Sequence, residues 1–312
     1  MKSKILAIAI LAATAACGNA DKTNESDMKN NETDSRTTLT AQTLDLGKAI
    51  SDEKAIGKVE IYNLDGFRLH VYYTQDVMND ASYIVEGTDS LVTMEEPLFK
   101  VNVSEFNRYL EKMGKPVAAR ITDYHLGGTG DHEVTMAEGM PAFMKGPVYG
   151  GMMEGFRQAF GDTMTDLPTG KEDEVAFGTT ANYAGVPFEF RHGASSDFPG
   201  ASILIGKQVY YTHWTPAKAH MSHLQLSSRA AVDAELSSAS DELNSGAVLY
   251  IGGHGGATQK EAVEFKIKYL TTVREILAKA ATPDDFVAAM KKAYPGLPGE
   301  DGLEALAQAL YK

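Results

Sequence analysis

Two runs of short segments rich in Val, Ile, Tyr and Leu shape this chain, one between Gly57 and Met94 and one between Val186 and Thr212. In the first, Gly57 to Leu64, Phe67 to Tyr73, Ser82 to Glu86 and Ser90 to Met94 are broken by Asp65-Gly66 and Gly87-Thr88-Asp89, which reads as an antiparallel meander. Val103, Phe106, Tyr109, Leu110 and Met113 then recur at helical spacing, with Asn102 or Ser104 as cap. Gly114-Lys115-Pro116 stops that helix, and Val117 to Thr122 returns to strand. The second run holds Val186 to Arg191, Ser202 to Ile205 and Gln208 to Thr212, followed by a helix around Ser227 to Ser245 and a strand at Ala247 to Ile251. Strands then helix, twice over, predicts two sheets face to face with helices outside.

Between the runs, residues 127–179 are rich in Gly and Met and weakly periodic, with helix-like pieces such as Gly151 to Phe160. After them, Thr258-x-x-Glu261 reads as a capping box opening a helix to about Ala280. Thr282-Pro283-Asp284-Asp285 opens another, to about Tyr294, with Pro at the first helical position.

The start of the chain is of a different kind. Lys2 and Lys4 precede an apolar run from Ile5 to Ala16 that ends at Cys17, the only cysteine. The run is too short to span a membrane as a helix and reads as an export leader. Thr14-Ala15-Ala16 before the cysteine resembles the bacterial lipobox, so Cys17 is expected to carry lipid; the other reading is a secreted protein with an incidental thiol. Residues 18–45 are polar and cannot bury enough surface to offset ordering, which makes them a tether reaching on the order of 25–30 Å. Residues 46–312 remain for one domain. The expected location is the bacterial cell envelope, periplasmic or surface-exposed, with the membrane as partner through Cys17. Loss of Lys2 and Lys4 with the leader takes the formal charge from −13 to −15, which argues against nucleic acid as a partner.

Two segments carry the chemistry: Ile121-Thr122-Asp123-Tyr124-His125-Leu126-Gly127-Gly128 and Tyr250-Ile251-Gly252-Gly253-His254-Gly255. Together with Ser90 to Glu95, Gly114-Lys115-Pro116, Pro199-Gly200-Ala201-Ser202 and Val209 to Thr212, they resemble the metallo-β-lactamase-fold superfamily from about Lys58 to Tyr294. The resemblance implies an α/β fold, an αββα sandwich of two mixed sheets with helices outside and one or two metal ions at the sheet edge. The family's first loop reads Thr-His-x-His-x-Asp-His, giving N and O donors at a spacing that zinc accepts. Aligned without gaps, Thr122 keeps its place, Asp123 and His125 stand at the first two histidines, and Gly127 and Gly128 replace the Asp and third His. A gapped alignment, with His125-Leu126-Gly127-Gly128-Thr129 on the family's His-x-Gly-Gly-x, deletes the two leading histidines instead. Downstream, Asp197 falls on a family His, Trp214 on the bridging Asp, and His254 on the final His.

Carried over residue by residue, this implies His125 and His254 as metal ligands, with Asp123 and Asp197 as oxygen donors. That set fits one divalent ion such as zinc, or none, because an indole at Trp214 cannot bridge two cations. Other candidates for the pocket are Asp131-His132, His213 and His220, the last in His220-x-x-His223. Met136, Met140, Met144, Met152 and Met153 form either an apolar wall over the site or ordinary core. Two functions stay open: a ligand-binding or accessory protein for a small molecule without the dinuclear site, and a metal-dependent hydrolase with a mononuclear or rearranged one. No Gly-x-Ser-x-Gly elbow and no phosphate loop supports serine hydrolysis or nucleotide binding.

Overall fold

The computed structural model describes residues 39–194 and 200–312. The leader, Cys17 and Asp197 lie outside the described residues. The first sheet has eight strands in chain order: β1 (Gln42–Leu44), β2 (Lys58–Leu64), β3 (Phe67–Tyr73), β4 (Ala81–Glu86), β5 (Leu91–Glu96), β6 (Val117–Leu126), β7 (Val134–Ala137) and β8 (Glu172–Val175). β2 to β5 form the expected meander, β1 adds an antiparallel strand before it, and β5 to β8 run parallel. β7 and β8 were not legible in the Gly- and Met-rich middle. β1 falls inside the stretch read as tether: Gln42 to Leu44 pair with Val59 to Ile61, so the fold begins before residue 46.

The second sheet has β9 (Thr180–Tyr183), β10 (Val186–His192), β11 (Ala201–Ile205), β12 (Val209–Tyr211), β13 (Leu249–Gly252) and β14 (Gly256–Thr258), with β12 and β13 parallel and the rest antiparallel. Both sheets are therefore mixed. Their facing sides share one core. Leu69, Val71, Val85 and Val92 meet Phe188, Ile203, Ile205 and Leu249 there, while the alternate residues His70, Tyr72, Ile84 and Leu204 face outward, as the two-residue strand period requires.

Those outer faces are also covered, which is why the strands read as nearly continuous apolar runs. α1 (Leu46–Ile50) and α2 (Lys100–Met113) cover the first sheet with Leu46, Phe106, Tyr109 and Leu110. α5 (Arg229–Asn244) and α6 (Lys260–Leu277) lie over the second, joined by α7 (Pro283–Ala293) and α8 (Leu303–Leu310). The layers are helix, sheet, sheet, helix. α3 (Met140–Met144) and α4 (Pro147–Phe160) fill the middle segment and sit by the site.

Helix caps separate good local signals from coincidental ones. Thr282 and Asp285 form a full capping box on α7. The box expected at Thr258 is absent: Thr258 is spent in β14, paired with Tyr250, and α6 starts behind Gln259 with no side-chain cap. α2 likewise starts earlier than expected, at Lys100, without a side-chain cap. Among the described residues no helix is long and apolar enough to cross a membrane.

Candidate metal centre

The parallel pairs fix where a site can form. β5 and β6 end at the same edge of the first sheet, and β12 and β13 end at the same edge of the second. Glu95 and His125 leave the first pair there, and His213 and His254 follow the second pair. β6 reaches this edge through a bulge. Met94 pairs with Ile121 but Glu96 pairs with Leu126, so Glu95 alone stands opposite Thr122 to His125. Glu95 takes a left-handed backbone, φ 51°, a conformation that costs energy outside glycine and that the surrounding bonds must hold. Ser82 Oγ donates to its carbonyl oxygen, and the Asp123 amide donates to its Oε1. Thr122 Oγ1 closes the bulge by donating to the His125 carbonyl at 2.6 Å.

His254 is held from both sides. It forms isolated β-bridges with Asp80 and with Trp214, Ala81 N donates to Gly253 O at 2.8 Å, and Thr215 N donates to His254 O at 3.3 Å. The loop between β3 and β4 is thereby stitched to the far sheet, which brings Asp80 to the imidazole. The result is a group of three imidazoles, His125, His213 and His254, each offering a ring nitrogen within 4.8 Å of the others.

Two buried carboxylates back this group. Asp80 Oδ1 lies 2.8 Å from His254 Nδ1, and beyond this contact neither atom has a hydrogen-bond partner. Glu95 Oε2 lies 3.6 Å from His125 Nδ1 and has no hydrogen-bond partner. Burial pushes the Asp80 carboxyl up, but His125 and His254 outweigh it and hold it below the usual range. Burial lowers His254, and Asp80 more than reverses this, raising it. His213 has no such partner. Its enclosure, then His254 and His125, depress it well below the ordinary histidine range, and its buried Nδ1 is unpaired.

This donor set suits a divalent ion. Metal-binding imidazoles must be neutral, and they are oriented by a carboxylate on the second ring nitrogen. With Nδ1 of His254 and His125 facing Asp80 and Glu95, a metal would take the other ring nitrogen of each; at His254 the Met78 backbone also interacts with the imidazole. The only ion pairs of Asp80 and Glu95 among the described residues are with these two imidazoles, so the buried negative charge lacks a lysine or arginine to balance it.

The sequence candidates divide. His125, His254 and His213 come together. Asp123 takes no part in the group: its carboxyl accepts from Ala201 N at 3.2 Å and Tyr211 Oη at 3.5 Å, between the sheets, and burial, then Glu95, raises it well above its ordinary value. Asp131 and His132 sit exposed in the turn after β6. His220 is packed among helices, its Nδ1 3.1 Å from the Tyr269 hydroxyl, and lies outside the cleft. Trp214 stacks on His254 with ring centroids 4.5 Å apart. Gly127 and Gly128 have no room for a ligand-bearing side chain. A Cβ on Gly127 would meet the Pro97 carbonyl and Leu98 Cα, and one on Gly128 would lie 2.9 Å from Glu96 Oε2.

Asp80 was missed, since only the crossing of the sheets brings it near. Glu95 had a visible signal, as the end of the strand where the family pattern has an Asp.

Above the histidines lies a cleft with about 900 Å³ of empty space, solvent at its mouth included. Trp214 and α4 wall it, with Tyr149, Met152, Met153 and Phe156 at i, i+3, i+4 and i+7 on one helical face. Tyr149 Oη ties that helix to β6 by donating to Tyr124 O at 3.1 Å. The Met-rich run thus splits: Met152 and Met153 line the cleft, whereas Met136 and Met140 are core.

No protein-family model matches the chain, and no curated protein matches it in sequence. Solved structures do. The stereoselective inverting sec-alkylsulfatase from Pseudomonas sp. superposes with a TM-score of 0.55 at 16% identity, over 80% of this chain and 49% of that one. This chain therefore spans about half the alkylsulfatase's length. A metallo-beta-lactamase family protein from Thermus thermophilus gives 0.54 at 14% identity, over 79% and 92% of the two chains. A beta-lactamase domain protein from Burkholderia ambifaria gives 0.53 at 12%, over 80% and 85%. The two mixed sheets, their outer helices and these likenesses agree on one architecture: the chain has the metallo-β-lactamase fold.

Proposed function

We propose that this protein is a hydrolase with a single-metal site held by His125, His213 and His254, in place of the family's dinuclear one. The observation that carries the reading is the convergence of these imidazoles over two buried carboxylates that have no lysine or arginine partner among the described residues. Three imidazole nitrogens with an open side toward a cleft match the ligand count of catalytic rather than structural zinc sites. A divalent ion bound there supplies Lewis-acid polarisation of an ester or amide oxygen and activation of water.

The protein's own groups do the rest. Asp80, 2.8 Å from His254 Nδ1, favours the proton of that ring on Nδ1, and Glu95, 3.6 Å from His125 Nδ1, adds a negative charge behind the second ring. Trp214 limits the tilt of the His254 ring by stacking on it. The apolar wall excludes water, which strengthens polar interactions within the site. No side chain from Gly127 or Gly128 can supply further ligands, which supports one ion rather than two.

A metal-free ligand-binding or accessory role is the second reading, favoured by the apolar cleft and by Trp214 in place of a bridging carboxylate. Elemental analysis of protein purified without chelator separates the two. Near-stoichiometric zinc, manganese or iron supports the hydrolase, and metal-free protein overturns it. A panel of esters, lactones, thioesters and phosphodiesters then tests turnover, which is expected to vanish in both His125→Ala and His254→Ala. The leader and Cys17 support a lipid-anchored envelope location for this activity; labelling with a radioactive fatty acid, lost in Cys17→Ala, checks it.

A further inference from the structure

The cleft over the histidines carries a charge pattern that restricts its ligand. Among the described residues no lysine or arginine lines it, and its acidic groups are Asp80 at the base and Asp166 at the rim. The rest of the wall is largely thioether, aliphatic and aromatic, with Met152, Met153 and Phe156 on one side and Leu98 and Leu167 among the others. A carboxylate, sulfate or phosphate entering this space would exchange water for a wall without cationic donors and with carboxylates nearby, which is unfavourable. A divalent ion at the histidines would offer an anion a coordination position, so the preference of the wall itself is read on the metal-free protein.

We infer that the cleft binds an uncharged ligand with an aliphatic or aromatic body, and that the substrate is a neutral carboxylic ester of that shape rather than a sulfate or phosphate ester. The substrate half of this statement rests on the hydrolase reading above. In the reaction, water oxygen bonds to the acyl carbon as the bond from that carbon to the alkoxy oxygen breaks. One water proton goes to the departing alcohol, and the acid product releases the other to solvent. The carboxylate so formed is the kind of anion the wall disfavours.

Trp214 is the only tryptophan in the chain, and it lines the cleft, so its fluorescence reports occupancy directly. The purified, chelator-treated protein is titrated with 1-octanol and with octanoate at pH 8. A saturable change with 1-octanol is expected, and octanoate should bind about tenfold more weakly or worse. Leu167→Arg, at a rim position 43% exposed, should narrow or invert that preference; Met152→Lys on α4 provides a second variant.

Octanoate binding the wild type as well as 1-octanol, or no saturable signal with 1-octanol, overturns the inference. In the activity arm, zinc-loaded protein should hydrolyse 4-nitrophenyl octanoate with a higher kcat/KM than the acetate, phosphate or sulfate. Faster turnover of the phosphate or sulfate overturns the neutral-substrate assignment while leaving the hydrolase standing. Octanol binding without turnover of any ester overturns the substrate half and the hydrolase reading together, and supports the cleft assignment alone.

Discussion

His70 and His254 are both largely buried against a carboxylate, yet the two pairs are wired differently. His70 uses both ring nitrogens, Nδ1 with the Tyr109 hydroxyl at 2.8 Å and Nε2 with Glu86 at 2.9 Å. Glu86 is balanced in turn by Arg68 at 2.6 Å and Lys115 at 2.9 Å. His254 meets Asp80 through Nδ1 alone, Asp80 has no lysine or arginine partner among the described residues, and the ring abuts two further imidazoles with centroids 4.8 and 5.0 Å away. Burial and a carboxylate are common to both. What distinguishes a site from a structural network is the unspent nitrogen and the uncompensated charge.

The largest expected effect tests that distinction. Replacing His125, His213 or His254 with Ala should abolish tightly held zinc, measured by elemental analysis after gel filtration. His70→Ala should retain zinc while losing stability, because Glu86 and Tyr109 lose a buried partner, at a cost of about 1–3 kcal/mol in urea unfolding. Zinc lost equally from His70→Ala would break the comparison.

A smaller effect grades the two carboxylates behind the site. Asp80→Asn should weaken zinc binding about 10- to 100-fold, the usual range for groups that orient metal-bound histidines. Glu95→Gln should weaken it less, since Glu95 stands 3.6 Å from His125 whereas Asp80 stands 2.8 Å from His254. Competition with a chromophoric chelator reads both. A Glu95 effect larger than the Asp80 effect would show that the bulge, rather than the pairing, is what Glu95 maintains.

The two regions also differ in how far the sequence exposed them. The meander holding His70 was legible because Asp65-Gly66 and Gly87-Thr88-Asp89 punctuate strands whose residues belong to one local pattern. His125 and His254 were legible through the resemblance of their two loops to the family's metal-binding loops, and His213 as the histidine upstream of His220-x-x-His223 after the second run of strands. Asp123 was expected as a metal donor because it aligns with the first histidine of the family's loop, and a regular strand would put it on one face with His125, two residues on. The bulge opposite Glu95 breaks that period and sends Asp123 to Ala201 and Tyr211. Asp80 is decided by the Gly253 carbonyl accepting from Ala81 across the sheets, a contact that no local pattern encodes. β7 and β8 escaped because each is four residues long amid Gly, Met and acidic residues.

The smallest effect concerns pH and belongs to the compensated pair. Burial raises the Glu86 carboxyl, but hydrogen bonds from Arg68, Lys115 and His70 outweigh it and bring it from 4.5 down to about 2. The folded state therefore binds fewer protons than the unfolded chain between these values, so stability is fully present above about pH 4.5 and falls as pH drops toward 2. His70 adds a loss that starts higher: burial outweighs the pull of Glu86 and lowers its pKa from 6.5, so its contribution declines as pH falls below that value. Glu86→Gln should abolish the Glu86 part of this loss and, by removing the carboxylate that raises His70, deepen the His70 loss toward lower pH without moving its onset. Urea unfolding at closely spaced pH values reads the slope, with chelator present so that proton-driven metal release at the three histidines does not contribute. An unchanged slope between pH 4.5 and 2 in Glu86→Gln would mean that Glu86 is not what the basic pair and His70 hold in place, and the contrast with the uncompensated Asp80 would lose its reference.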